Sequence, residues 1–210
     1  MSKKNLILVG GGGHCKSVID VAENSGWNII GILDVAANKG KKVLGYPIIG
    51  SDDQISEFIH QADFLVTVGQ IKDVGLRIEL HEKILSAGGE LATVIAADAY
   101  VSHYSEISKG TIVMHKAVVN VNAKIGFGCI INTMANIEHD TVIGNYCHIS
   151  TGAMVNGNCM VGDRTFIGSG AVIANGISIG SDCIVAGASF LRKNIFQSGM
   201  YSGNPAIKIK

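Results

Sequence analysis

From Val94 to Ile195 the chain repeats with a period of six. Written in sixes from Val94 (VIAADA, YVSHYS, EISKGT and onward to FLRKNI), the second residue of every hexad is Ile, Val or Leu, from Ile95 to Leu191. The sixth is nearly always Ala, Ser, Thr or Cys. This pattern predicts a helix built of short β-strands: the aliphatic second residue points inward, and the small sixth residue fits near a tight corner. Three faces make one 18-residue coil, and coils stack at the inter-strand spacing of about 4.8 Å. Residues 18 apart then lie above one another, which places Cys129, Cys147, Thr165 and Cys183 in one column. A stack of this kind buries a continuous core that one repeat cannot make alone.

Residues 1 to about 90 carry a different pattern, strand alternating with helix. Asn5–Val9 reads as a short buried strand, Cys15–Asn24 as a helix with Val18, Ile19, Val21 and Ala22 on one side, and Trp27–Asp34 as a second strand. Ser51 caps a short helix, Phe64–Val68 is a further strand, and Val74–Ala87 is a longer helix closed by Gly88 and Gly89. This order predicts a small, mainly parallel, Rossmann-like α/β sheet over 1–90, followed by the all-β repeat domain with its tail over 91–210.

Composition sharpens the picture. Apolar residues make up 47% of the 210 residues and charged ones 16%, enough for a sizeable core. Seventeen basic residues balance seventeen acidic ones without a basic block. That argues against nucleic acid or an anionic membrane as partner. No apolar run approaches the roughly 20 residues of a spanning helix, so the expectation is a cytoplasmic protein. The five cysteines show no CxxC pair and no zinc spacing, and read as reduced, packed thiols. A metal site is not expected.

Seven histidines are candidates for proton transfer at neutral pH. His60 and His81 lie on predicted helices and read as surface residues. His103 and His115 fall at outward positions of early coils. His139 stands between Glu138 and Asp140, in a hexad where a carboxylate beside the ring would fix its tautomer and raise its basicity. Strand neighbours alternate faces, so spacing alone does not say which carboxylate reaches it. In the first domain, Gly10-Gly-Gly-Gly-His14 follows the first strand and opens a helix, where backbone amides favour a phosphate. Gly10-x-Gly12-x-x-Cys15 is a partial dinucleotide fingerprint, with Asp34 at the end of the second strand where a ribose hydroxyl would be held. A purely structural turn is the alternative.

Hexads such as Val142-Ile-Gly-Asn-Tyr-Cys147 and Met160-Val-Gly-Asp-Arg-Thr165 resemble those of the hexapeptide-repeat acyltransferases, whose fold is a left-handed β-helix. The GGGGH loop, Asn132-Thr with Ile-Glu-His139-Asp140, His148-Ile-Ser-Thr-Gly and Ser202-Gly-Asn-Pro-Ala206 are together similar to the subgroup that N-acetylates bacterial nucleotide-linked 4-amino-sugars. The sialic acid O-acetyltransferases share that architecture.

The resemblance implies acetyl-CoA as co-substrate, a homotrimer that binds it between neighbouring helices, and no metal. It also implies His139 as general base, Asp140 as its orienting acid and Asn132 near the reacting groups. His148 would contact acetyl-CoA, with Gly157, Ser169 and Gly187 along the cofactor. Gly12, Gly13, His14, Asp34 and Gly69 would hold the nucleotide-sugar, in place of NAD. The expected activity is N-acetylation of a nucleotide-linked amino-sugar, with a UDP-4-amino-4,6-dideoxyhexose as substrate. O-acetylation of a sialic acid or related sugar is the alternative, and a non-catalytic trimeric partner of a sugar-biosynthesis enzyme a second.

Overall fold

The computed structural model describes residues 3–71 and 73–210 and divides the chain into two compact units, one ending at Ala97 and one beginning at Asp98. Among the described residues no helix is long and apolar enough to cross a membrane.

The first unit is a five-stranded sheet in the order β3-β4-β2-β1-β5. Its elements are β1 (Lys4–Val9), α1 (Gly13–Asn24), β2 (Trp27–Asp34), β3 (Lys42–Val43), β4 (Tyr46–Ser51), β5 (Asp63–Val66) and α2 (Gly75–Ser86). β1 pairs in parallel with β2 and β5, and β2 with β4. The central strands bury continuous aliphatic runs, Leu6–Val9 and Ile32–Leu33, as a parallel sheet covered by helices requires. The helix α1 turns Cys15, Val18, Ile19, Val21 and Ala22 inward, the face its spacing predicts.

Two strands go beyond the sequence expectation. β3 and β4 form an antiparallel hairpin around Leu44-Gly45, both at positive φ. A two-residue strand and a segment carrying both Pro47 and Gly50 give too little strand pattern to be read from composition. The short helix expected at Ser51 is a 3-10 helix, Asp52–Glu57, started by a capping box in which Gln54 Oε1 accepts from the Ser51 N–H at 3.2 Å.

The second unit is the left-handed β-helix. In nearly every coil hexad the first two residues form the strand, and strands pair in parallel 18 residues apart, as Val118, Asn136, Met154 and Val172 do. The inward second residues Val113, Ile131, Ile149, Ile167 and Val185 are fully buried. The sixth-position column does more than fit. Thr111 and Thr165 hydroxyls donate to the Gly126 and Gly180 carbonyls at 2.9 Å, and Cys129 and Cys147 thiols donate to Gly144 and Gly162 at 3.0 and 3.1 Å. Thr and Cys interchange here because each is small and supplies one donor to the same corner carbonyl. All five cysteines are reduced thiols, and all are buried. The C-terminal residues close the sheet: Gly199–Gly203 adds to Cys183–Val185, and Ala206–Lys208 pairs with it antiparallel.

Candidate active site

From Gly110 to Ala188 each corner of the coil turns at the fifth residue of a hexad, where the backbone is left-handed. Gly110, Gly128, Gly152, Gly170 and Gly176 occupy this place, and so do Asn122, Asp140, Asn158 and Asp182 at φ of 57–59°. Asp and Asn tolerate that region better than most side-chain-bearing residues. At Asp140 the turn swings the carboxylate back to its neighbour, so that Oδ2 lies 2.8 Å from His139 Nδ1. The Asn122 amide, one coil earlier, donates to the other oxygen at 3.2 Å. The bond from His139, then that from Asn122, hold the Asp140 carboxyl below its ordinary value. A carboxylate only accepts, so Nδ1 carries the ring proton and Nε2 is left as the accepting nitrogen.

Glu138 is occupied elsewhere. Its oxygens accept from Asn120 Nδ2 at 2.8 Å and Asn136 Nδ2 at 3.0 Å. These bonds, Asn136 the stronger influence, keep its carboxyl below the usual range against the opposing effect of burial.

Gly157 stands one coil above His139. A Cβ there would lie 2.6 Å from His139 Nε2 and 2.7 Å from Cε1, so the bare backbone is what admits the ring. The His139 side chain is half-exposed.

Asn132, His148, Ser169 and Gly187 belong to a different face of the coil. The Asn132 amide lies 3.1 Å from His148 Nε2, and Thr133 N–H donates to Asn132 Oδ1 at 2.8 Å. His148 is buried and meets Phe166 edge-on at a centroid distance of 5.2 Å. One coil further, the Ser150 and Ser169 hydroxyls lie 2.9 Å apart. Gly187 sits above Ser169, where its bare backbone passes 3.1 Å (ideal Cβ to carbonyl oxygen) from the chain below.

In the first unit the glycine loop is built for close approach. Gly10 adopts φ +107° and its N–H donates to Leu33 O at 2.8 Å. A Cβ at Gly11 would meet Asp34 Oδ2 at 2.8 Å, whereas at Gly12 and Gly13 it would meet nothing within 4 Å. The last two therefore face open space rather than packed chain. Asp34 is fixed by Val35 N–H at 2.8 Å and Asn38 Nδ2 at 2.9 Å. Thr67 ties the loop down by donating to the Gly10 carbonyl at 2.5 Å. Gly69 lies beside His14. Burial, and then the charge of Arg77, push His14 down to about 4, and its buried Nε2 has no hydrogen-bond partner among the described residues. Burial pushes the Cys15 thiol up to about 11, so this residue packs and does not react.

His81 departs from the sequence expectation. It is 1% exposed, with Nδ1 2.7 Å from the Arg77 carbonyl one turn back. His81 was expected at the surface, but it shares the buried side of α2 with Arg77, Leu80 and Ile84. Asn122, Asn38 and Thr67 were not read as site residues. Only Asn122 had a signal in the sequence, its 18-residue offset from Asp140. Among the described residues no group of three or more His, Cys, Asp or Glu is placed to hold a metal ion.

Known proteins place this arrangement. The family described as PglD N-terminal domain matches residues 5–84, and that described as bacterial transferase hexapeptide (six repeats) matches 158–193. A search of the curated proteins finds no match. Among solved structures, a His-to-Asn mutant of perosamine N-acetyltransferase from Caulobacter crescentus, in complex with CoA and GDP-perosamine, is 30% identical. The alignment covers 98% of this chain and 97% of that one, with a TM-score of 0.92. The acetyltransferase domain of PglB from Neisseria gonorrhoeae, in complex with acetyl coenzyme A, is 29% identical over 99% of this chain and 100% of that one, with a TM-score of 0.91. WeeI from Acinetobacter baumannii, 24% identical over 97% and 99% with a TM-score of 0.86, shares the fold.

An α/β unit followed by a left-handed β-helix with a carboxylate-backed histidine at a coil corner defines a hexapeptide-repeat acyltransferase. Within that class the chain belongs to the sugar N-acetyltransferases, enzymes that take acetyl-CoA as co-substrate.

Proposed function

We propose that the protein transfers the acetyl group of acetyl-CoA to the amine of a nucleotide-linked 4-amino-sugar, with His139 as general base. The observation that carries this reading is the 2.8 Å contact between His139 Nδ1 and Asp140, which leaves Nε2 to accept a proton over the bare backbone of Gly157. The first unit holds the nucleotide: the Gly10–His14 loop, with Gly12 and Gly13 open, takes the phosphates, Asp34 takes the ribose, and Gly69 flanks His14. The GDP-perosamine complex of the Caulobacter enzyme supports a nucleotide-linked substrate.

In the reaction the amine nitrogen bonds to the thioester carbon while Nε2 of His139 removes its proton. The C–S bond then breaks and coenzyme A leaves with the proton that His139 returns. Asp140 stabilises the imidazolium formed in between. A backbone N–H, that of Gly157, steadies the oxyanion. Asn132 and His148 contact the acetyl end of the co-substrate, and Ser169 and Gly187 line its path. His139 and the Asn132–His148 cluster lie on different faces of one coil. This supports a homotrimer, in which a neighbouring β-helix supplies the second face.

The test is an assay with acetyl-CoA and UDP-, GDP- and CMP-linked sugars, following free thiol and product mass, with His139→Ala alongside. The expected result is the mass gain of one acetyl on a nucleotide amino-sugar, lost in the variant. Acetylation of a sialic acid alone would replace this reading with O-acetyl transfer. Full activity in His139→Ala would remove the assigned base.

A further inference from the structure

The carboxyl ends of three neighbouring strands form one edge: β1 runs into Gly10, β2 ends at Asp34, and β4 ends at Ser51, the register partner of Asp34. In open α/β sheets a nucleotide lies across such an edge, phosphates at the first βα turn and ribose at the acid ending the next strand. The base then falls at the end of the strand beyond, here β4. The residue standing there is Asp52, first in the 3-10 helix that the Ser51–Gln54 capping box starts. Asp52, Asp34 and Gly10 line one slot whose walls are aliphatic, among them Leu33, Val35, Val68, Leu76 and Leu80. Two of these, Val35 and Leu76, are 59% and 53% exposed, an unusual extent for large aliphatic side chains. A planar ring would cover them.

The two carboxylates of the slot differ in what they have left to offer. Both oxygens of Asp34 already accept bonds from its own loop. Asp52 has a single loose ion pair, Oδ2 to Lys83 Nζ at 3.5 Å, and Lys83 makes its closer contact with Asp53. A carboxylate can only accept, and its two oxygens suit two parallel donors. Guanine offers that pair, N1–H beside N2–H₂. Uracil offers one N–H flanked by two carbonyl oxygens, so the second carboxylate oxygen would face a lone pair. Cytosine sets its ring nitrogen and carbonyl beside its one amino group, with the same conflict.

Resting on the reading of the first unit as the nucleotide holder, we infer that Asp52 reads the base and that the slot takes guanine in preference to uracil or cytosine. The substrate is then a GDP-linked amino-sugar rather than the UDP-linked one expected from sequence.

The experiment is calorimetric titration of GDP, UDP and CDP onto the full chain and onto Asp52→Asn and Asp34→Ala, with acetyl-CoA binding as a check on folding. In the wild type GDP binds roughly 10- to 100-fold more tightly than UDP or CDP, the range of one bidentate base contact. An asparagine amide pairs with O6 and N1–H of guanine as well as with O4 and N3–H of uracil. Asp52→Asn therefore brings GDP and UDP to within about threefold of each other. Asp34→Ala weakens all three alike, because the ribose is common to them. Binding of UDP as tightly as GDP to the wild type, or a GDP preference that survives Asp52→Asn, would overturn the assignment of Asp52. Failure of all three nucleotides beside normal acetyl-CoA binding would overturn the nucleotide-holding reading as well, a result distinct from the first two.

Discussion

The two units keep their histidines in opposite surroundings. His14 lies in the first turn of α1, where burial and the Arg77 charge push it down to about 4. His139 sits half-exposed at a coil corner with a carboxylate on Nδ1. At neutral pH the first stays neutral, whereas the second has a carboxylate accepting from its Nδ1. The lesson is that histidine beside glycine is not one motif: at the head of α1 the ring is buried and held neutral, and at the corner it is half-exposed and backed by a carboxylate.

The sharpest way to break the comparison is His139→Ala. With His139 as the proposed base, its loss should lower kcat on the order of 10²- to 10⁴-fold without changing the denaturation midpoint, read by steady-state assay and thermal melt. Next in size is the pH dependence of stability, which belongs to His14. Its folded value lies below the unfolded value of 6.5, so the unfolded chain binds more protons as pH falls. Stability that is fully present above about 6.5 should drain away between 6.5 and 4, by up to ~3 kcal/mol. His14→Gln should flatten that slope in denaturant melts at pH 7, 5.5 and 4.5. An unchanged slope would place the titrating group elsewhere.

Gly157→Ala is the subtler probe of the corner. The added methyl meets Nε2, so the ring must shift while the coil stays folded, and kcat/KM should fall about 10-fold or more. The smallest effect is expected at Arg164, whose bidentate pair with Asp182 is exposed at 2.7 Å. Arg164→Ala should cost under ~1 kcal/mol by chemical denaturation, because water screens the pair and the coil rests on its inward aliphatics.

Legibility in the sequence followed regularity. The hexads could be read through because one aliphatic and one small residue recur at a fixed period, and each inward position is set by that period alone. The hairpin of β3 and β4 had no such support, being short and interrupted by Pro47 and Gly50. His139 stood out as a candidate, but spacing alone did not say which carboxylate meets it, and Asp140 came only from the family resemblance. Strand alternation would send Asp140 to the other side, and only the left-handed turn at φ 59° returns it. His81 was misplaced because a pattern reading counts His as an outward residue, and here it lies with Arg77 on the buried side of α2. Asp52 was visible only as part of a cap. Its place at the slot depends on β4 lying beside β2, a pairing that no local signal carries.

The repeat also fixes what lengths of chain the second unit can gain or lose. Inserting 18 residues between Cys159 and Thr165 would add one coil and leave every later side chain on its own face, while His139 kept its Gly157 neighbour. Removing a single hexad there would turn everything beyond it by a third of a revolution. Ser169 and Gly187 would leave the face of Asn132 and His148, although each remaining strand still found a partner. For this fold a whole coil is thus the unit of length that preserves every face, and a change of six residues is a change of geometry.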